Sequence, residues 1–393
     1  MLTTAHYPWL DFARGLSAIL VVAGHCRSAL FPPFSSIASP SWFEQIFYAF
    51  TGLGHQAVMA FFVLSGFLVG GSVLRLGQQF RLADYFTARL CRLWIVLIPA
   101  LLLTWIVDAA TAVTASGALR GDYFLLWNSG PDPNHRYNSS IGTFVGNIVF
   151  LQTILVPVFG TNGPLWSLAN EFWYYVVFPL VATGLLIPLS ATLGQRERIL
   201  IRLRSAFVVG ATAYLMSAGM LLGFCVWLMG VLAFVAVGRL KQPVRVIWIA
   251  LSLVLLACAI AYNKSARLQS TLGIDVDLAL GFCFSVLVVC VARIDATSVP
   301  TGVRAYVLRS GGFLSRISYS LYLCHFPLLV IIAATFYPTQ IGRLNWQSGA
   351  IYAVCLIAIC IAGTIFWFLF ERHTNKLRNW IRNKFTLTSR ATV

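Results

Sequence analysis

Charge is what this sequence has least of. Of its 393 residues only 10% are Asp, Glu, Lys or Arg, against roughly 25% in soluble proteins, while 59% are hydrophobic and the mean hydropathy is +0.81. That shortage excludes a large soluble fold, which needs amphipathic segments and polar loops. Uninterrupted apolar runs of membrane-spanning length predict a polytopic membrane protein instead. Acidic residues are scarcer than basic ones, 12 against 28, for a formal net charge of +16. The nine cysteines lie nearly all within apolar runs, with no CxxC pair and no His or Cys cluster at zinc spacing. They read as small core residues, so neither a disulfide framework nor a metal site is expected. Internal repeats, low-complexity linkers and an appended soluble domain are also lacking. The first apolar run has no basic n-region and no small-residue cleavage site, so it reads as a span and not as a cleaved signal peptide.

What is present is a series of apolar runs, near residues 12–31, 54–74, 93–113, 164–190, 206–219, 221–238, 246–262, 276–292, 317–337 and 347–370. They predict an all-α chain with about ten transmembrane helices. The pair at 206–238 has the least distinct boundaries. An eleventh stretch, 143–159, is bounded by Gly142 and Gly160 and is short for a span, which suits a half-membrane or interfacial segment. With both termini cytoplasmic, 21 basic residues fall inside and five outside, the latter Arg120, Arg136, Lys264, Arg267 and Arg343. This bias is the positive-inside rule, and it accounts for the net charge without a nucleic-acid partner. The polar excursion at 114–142 then lies outside. Residues 1–378 form one integral membrane domain and 379–393 a basic cytoplasmic tail.

Polar residues inside these runs carry the functional signal, because a charge near the centre of a span costs about 2.5 to 3.5 kcal/mol. In ARGLSAILVVAGH, residues 13–25, Arg14 and His25 flank an uncharged stretch. Eleven residues of helix put them on one face, about 16 Å apart. Arg14 can snorkel to the inner surface or make a buried contact. His25 can be a hydrogen-bonded core residue or, with an ordinary pKa of about 6.5, a general base. In NGPLWSLANEFWYYVVFPL, residues 162–180, Glu171 lies about two turns into an apolar run, among Trp166, Trp173, Tyr174 and Tyr175. On this topology Glu171 and His25 share the outer half of the membrane, while the aromatics also fit an interfacial belt. Arg89 and Arg92, three residues apart where a span begins, suit bidentate phosphate binding or simple positive-inside charge. FFVLSGFLVGG, residues 61–71, has GxxxG spacing at Gly66 and Gly70 that allows close helix packing, within one chain or between two.

These stretches together resemble the membrane acyltransferase 3 family. LDFARGLSAILVVAGH matches its arginine and histidine separated by ten residues. FFVLSGFL, the arginine pair in ARLCRLWIVLIP, PLWSLANEFWYYVVFP, SYSLYLCHFPL and FERHTNKLR resemble further family blocks in the same order, over residues 10–378. The last block departs from the frequent Glu-Arg-Pro by having His373 after Glu371 and Arg372. The resemblance implies an acyl-CoA-dependent O-acyltransferase that takes acetyl-CoA, or another acyl-CoA, on the cytoplasmic side of a bacterial inner membrane. Its acceptor would be a hydroxyl of a cell-envelope carbohydrate. His25 is then the base, Arg14 its essential partner, and Glu171 the carboxylate that orients His25 or stabilises its cation. Arg89 and Arg92 hold donor phosphates with Ser65 at the donor site, and Trp166 and Tyr174 face the acceptor. His325, in SYSLYLCHFPL, has a structural or helix-orienting role. A small hydroxylated metabolite such as a macrolide is the alternative acceptor. A glycan transporter would also need intramembrane polar residues, but it usually shows repeated halves.

Overall fold

The structure, a computed structural model, describes residues 7–119, 137–187, 193–240, 244–266, 274–295 and 302–390. Arg120, Arg136, Lys241, Arg267 and most of the expected outer loop lie outside the described residues. Among the described residues the chain is helical, with no strand. In chain order the helices used below are α1 Pro8–Leu30, α2 Trp42–Thr51, α3 Gly54–Ser65, α4 Gly71–Leu76, α5 Leu82–Thr114, α6 Ile141–Ile148, α7 Leu165–Leu185, α8 Gln195–Leu215, α9 Ala218–Arg239, α10 Val246–Ala266, α11 Ile274–Asp295, α12 Gly302–Phe336, α13 Trp346–Leu369 and α14 Thr374–Arg390.

Eight helical stretches among the described residues are long and apolar enough to cross a membrane. The runs expected at 164–190 and 206–219 overlap α7 and α8, which are not among these eight. The run expected at 206–219 differs from the observed helix: α8 begins at Gln195, within the arginine-rich segment, and ends at Leu215, before Ser217 caps α9 through Met220 N. Lipid-facing surface is plain on α10, where Trp248, Leu251 and Val254 are more than half exposed. Such an apolar face is a liability in water and the required surface in a bilayer.

Two compact units each draw on three chain segments. Unit 1 comprises Met1–Ser17, His55–Phe80 and Ser167–Ser315. Here the small-residue spacing finds its use: a Cβ on Gly66 would collide with Trp227 O, and one on Gly230 with Val63 O. The two backbones touch, so the GxxxG stretch packs within the chain against α9. At this contact the helix widens into a π-turn over Gly66–Gly70. The α10–α11 hairpin packs in the same unit, and α11 also meets α9.

Unit 2 comprises Ala18–Gly54, Arg81–Trp166 and Arg316–Val393. Gly24 brings α1 onto α2, since a Cβ there would lie 2.9 Å from Thr51 O. Tyr352 Oη of α13 donates to Ala23 O at 3.1 Å. Glu44 of α2 pairs with Arg343 at 2.7 Å, and this hydrogen-bonded carboxylate raises the guanidinium pKa above its ordinary value. The segment expected to lie in or on the membrane at 143–159 is helical only over α6. The remainder is irregular, with positive φ at Phe150, Thr153 and Gly160. Buried side chains satisfy its backbone, as irregular chain at membrane depth requires. Asn147 Nδ2 donates to Thr143 O and Pro157 O, Asn147 Oδ1 accepts from Phe159 N, and Asp108 accepts from Thr161 N and Oγ1. Beside it, burial and then Asp108 push the Tyr137 phenol above its ordinary pKa. Glu371 accepts from Ser320 N at 3.1 Å and Ser320 Oγ at 2.7 Å, so the block with His373 in place of proline is anchored on α12. The basic tail expected from residue 379 is part of α14, which begins at Thr374 and packs on α5, so the boundary at 378 falls inside a helix.

Candidate active site

His25 and His325 meet in unit 2. His25 lies on α1 one residue after the tight Gly24 contact, and His325 is wholly buried on α12. His25 Nδ1 and His325 Nε2 are 2.8 Å apart, with ring planes within 7° of parallel. Phe326 stands edge-on to His25 at 5.0 Å.

Proton placement in this pair follows from one constraint. His325 Nδ1 faces two carbonyl oxygens, Tyr322 O at 2.7 Å and Leu321 O at 3.1 Å, and a carbonyl can only accept. The proton of neutral His325 is therefore on Nδ1, which leaves Nε2 as an acceptor. His25 must donate to it from Nδ1. The lone pair of His25 is then on Nε2, for which no hydrogen-bond partner exists among the described residues. A backbone carbonyl thus sets the tautomer of one histidine, and that histidine sets the next.

Arg89 and Arg92, also in unit 2, are partly exposed near the start of α5, with Arg89 stacked over Tyr85 at 5.6 Å. Trp166 is partly exposed in the first turn of α7. Close to the histidines, the Asn162–Pro164 loop meets α12: Asn162 Nδ2 donates to Leu323 O, and Tyr322 Oη donates to Pro164 O.

Unit 1 holds the other expected residues in two clusters. Arg14 does not extend freely to a surface: its Nε donates to Ser315 Oγ at 2.7 Å and its Nη2 lies 3.3 Å from Asp11, to which Ser315 Oγ also donates. Glu171 accepts a short hydrogen bond from Tyr175 one turn later on α7. Tyr175 Oη lies 3.0 Å from Ser65 Oγ, which accepts from Trp227 Nε1 at 3.1 Å. Because an indole can only donate and Tyr175 gives its proton to the carboxylate, every bond points from Trp227 toward Glu171.

Three expected residues have defined contacts. His25 Nδ1 faces His325 Nε2 in unit 2, and the Glu171 carboxylate accepts from Tyr175 in unit 1. Ser65, expected at the donor, is a link in the chain that holds Glu171. Tyr174, expected to face the acceptor, is fully buried, donates to Met220 O at 2.7 Å and packs on Phe62, Phe224 and Trp227. Gly223 makes room for its hydroxyl. The sequence signal for Tyr175 was available in its i,i+4 spacing from Glu171. None existed for the pairing of His25 with His325, 300 residues away.

A family model described as an acyltransferase domain matches residues 7–369. The chain belongs to the acyltransferase 3 family. No curated protein and no solved structure matches it. The acyltransferase 3 match contains both histidines, Arg14, Arg89, Arg92 and Glu171, and ends just before the FERHTNKLR block. Family and fold together make the protein an integral, multi-pass membrane acyltransferase.

Proposed function

We propose that this acyltransferase 3 protein transfers an acyl group, acetyl first among them, from cytoplasmic acyl-CoA to a hydroxyl of a cell-envelope carbohydrate. The observation that supports the chemistry is the bare Nε2 of His25, held in that tautomer through His325. Nε2 takes the proton of the acceptor hydroxyl as its oxygen attacks the thioester carbonyl. The C–O bond forms, the C–S bond breaks, and His25 returns the proton to the departing thiolate. His325 does for His25 what an orienting partner does in a catalytic triad, without introducing a fixed negative charge. Arg89 and Arg92 take the donor's phosphates on the inner side. Glu171 is held by Tyr175 within unit 1.

The test is transfer of labelled acetyl from acetyl-CoA by purified protein in nanodiscs, comparing wild type with His25→Gln. Glutamine hydrogen-bonds but takes no proton at neutral pH, so turnover should fall by about 10²- to 10⁴-fold. A folded His25→Gln enzyme that kept more than about a tenth of wild-type turnover would end the base assignment. The orientation with both termini in the cytoplasm rests on the charge bias of 21 to five. A reporter fused after Val393 should read cytoplasm, and an external signal there would reverse the topology.

A further inference from the structure

Pro327 lies inside α12, two residues after His325. Proline has no N–H, so the carbonyl four residues earlier, Leu323 O, loses its helical donor. In an apolar interior such a carbonyl must find another. It finds Asn162: Nδ2 donates to Leu323 O at 2.8 Å and to Thr104 Oγ1 at 3.1 Å. Since Leu323 O can only accept, the amide is oriented with its nitrogen toward α12. Asn162 is fully buried, and its neighbours hold the same turn. Pro164 O accepts from Tyr322 Oη at 3.1 Å, and a Cβ on Gly163 would touch the Phe326 ring at 4.0 Å. The turn held in this way carries His325 and the Tyr322 carbonyl that sets its tautomer.

We propose that Asn162 is a positioning residue for acyl transfer. Its side-chain amide replaces the N–H that Pro327 removes, and so holds His325 against His25. Its effect on turnover rests on the reading of His25 as the base, whereas its effect on the histidine pair does not.

The experiment uses the full chain in nanodiscs with isotopically labelled histidine, whose ring-nitrogen spectrum separates protonated from bare nitrogens. The His25 signals are identified by their loss in His25→Gln. Asn162→Leu should disturb the His25–His325 signature and reduce turnover on the order of 100-fold, the scale of a misplaced catalytic group. Adding Pro327→Ala returns the backbone N–H to Leu323 O, so Asn162→Leu/Pro327→Ala should recover both the signature and most of the turnover. Thr104→Val, which leaves the Leu323 bond in place, should change neither. An Asn162→Leu spectrum identical to wild type, or a disturbed one that Pro327→Ala fails to restore, overturns the proposal. If Asn162→Leu does not fold, the double variant decides: a folded protein with the wild-type signature supports the proposal, and failure to fold overturns it. Absence of acetyl transfer by the wild type would count against the proposed function alone, since the spectra still report on Asn162.

Discussion

Two histidines in apolar helices of this protein are held by opposite means. His25 in unit 2 donates to another neutral imidazole. His55 in unit 1, at the start of α3, contacts both oxygens of the buried Asp277 carboxylate at 2.9 and 3.0 Å. That carboxylate also accepts from Asn263 Nδ2 at 3.1 Å, and Gln56 Nε2 donates to Asn263 Oδ1 at 2.8 Å, so α3, α10 and α11 are tied together. A carboxylate accepts from a histidine in either protonation state. It therefore makes a tether. A carbonyl-locked histidine instead accepts with its own bare Nε2, and leaves the donating ring with a bare nitrogen on its far side. The expensive group in a membrane interior is a fixed charge, and the candidate catalytic pair is the arrangement that has none.

That contrast can be broken most decisively by exchanging the damage. His25→Gln should lose about 10²- to 10⁴-fold in labelled acetyl transfer, while folded His55→Gln should keep most of its turnover; equal losses would erase the distinction. Next in size, His325→Leu removes the tautomer lock and should cost on the order of 100-fold in kcat. Its donor affinity should be unchanged, and a weakened KM for acetyl-CoA with intact kcat would assign His325 to binding. Arg89→Ala and Arg92→Ala should each weaken acetyl-CoA binding by about 1.5 to 3 kcal/mol, a loss of charge-assisted bonds. Titration showing wild-type donor affinity in both would reduce them to topology signals. Smallest in its effect on chemistry, Asp277→Asn should lower stability by about 1 to 3 kcal/mol while turnover per folded molecule holds. Thermal unfolding with parallel activity separates the two, and a catalytic defect in a fully stable variant would make the Asp277 cluster functional.

Much of the fold was legible because a bilayer punishes every polar residue, so hydropathy located the long helices between α1 and α13 but passed over the short α2. Boundaries failed where that punishment is relieved. The arginines before 206 belong to α8 because they lie at its beginning, and the chain from 149 to 164 leaves helical form because Asn147, Asp108 and Asn162 satisfy its backbone or tie it to neighbouring helices. Within the candidate site, intramembrane Arg14, His25 and Glu171 stood out by the cost of burying them. Their pairings did not: Ser315 carried no signal, Tyr175 was one of four aromatics around Glu171, and His325 was placed only in a structural or helix-orienting role.

The sequence by itself determined that the chain is an all-helical membrane acyltransferase of the acyltransferase 3 family and which of its polar residues had to be explained. Only the tertiary structure decided what holds them. Hydrogen-bond direction depends on which group faces which across helices, and it is the carbonyl of Tyr322, brought opposite His325 Nδ1 by the turn of α12, that leaves His25 Nε2 free to take a proton.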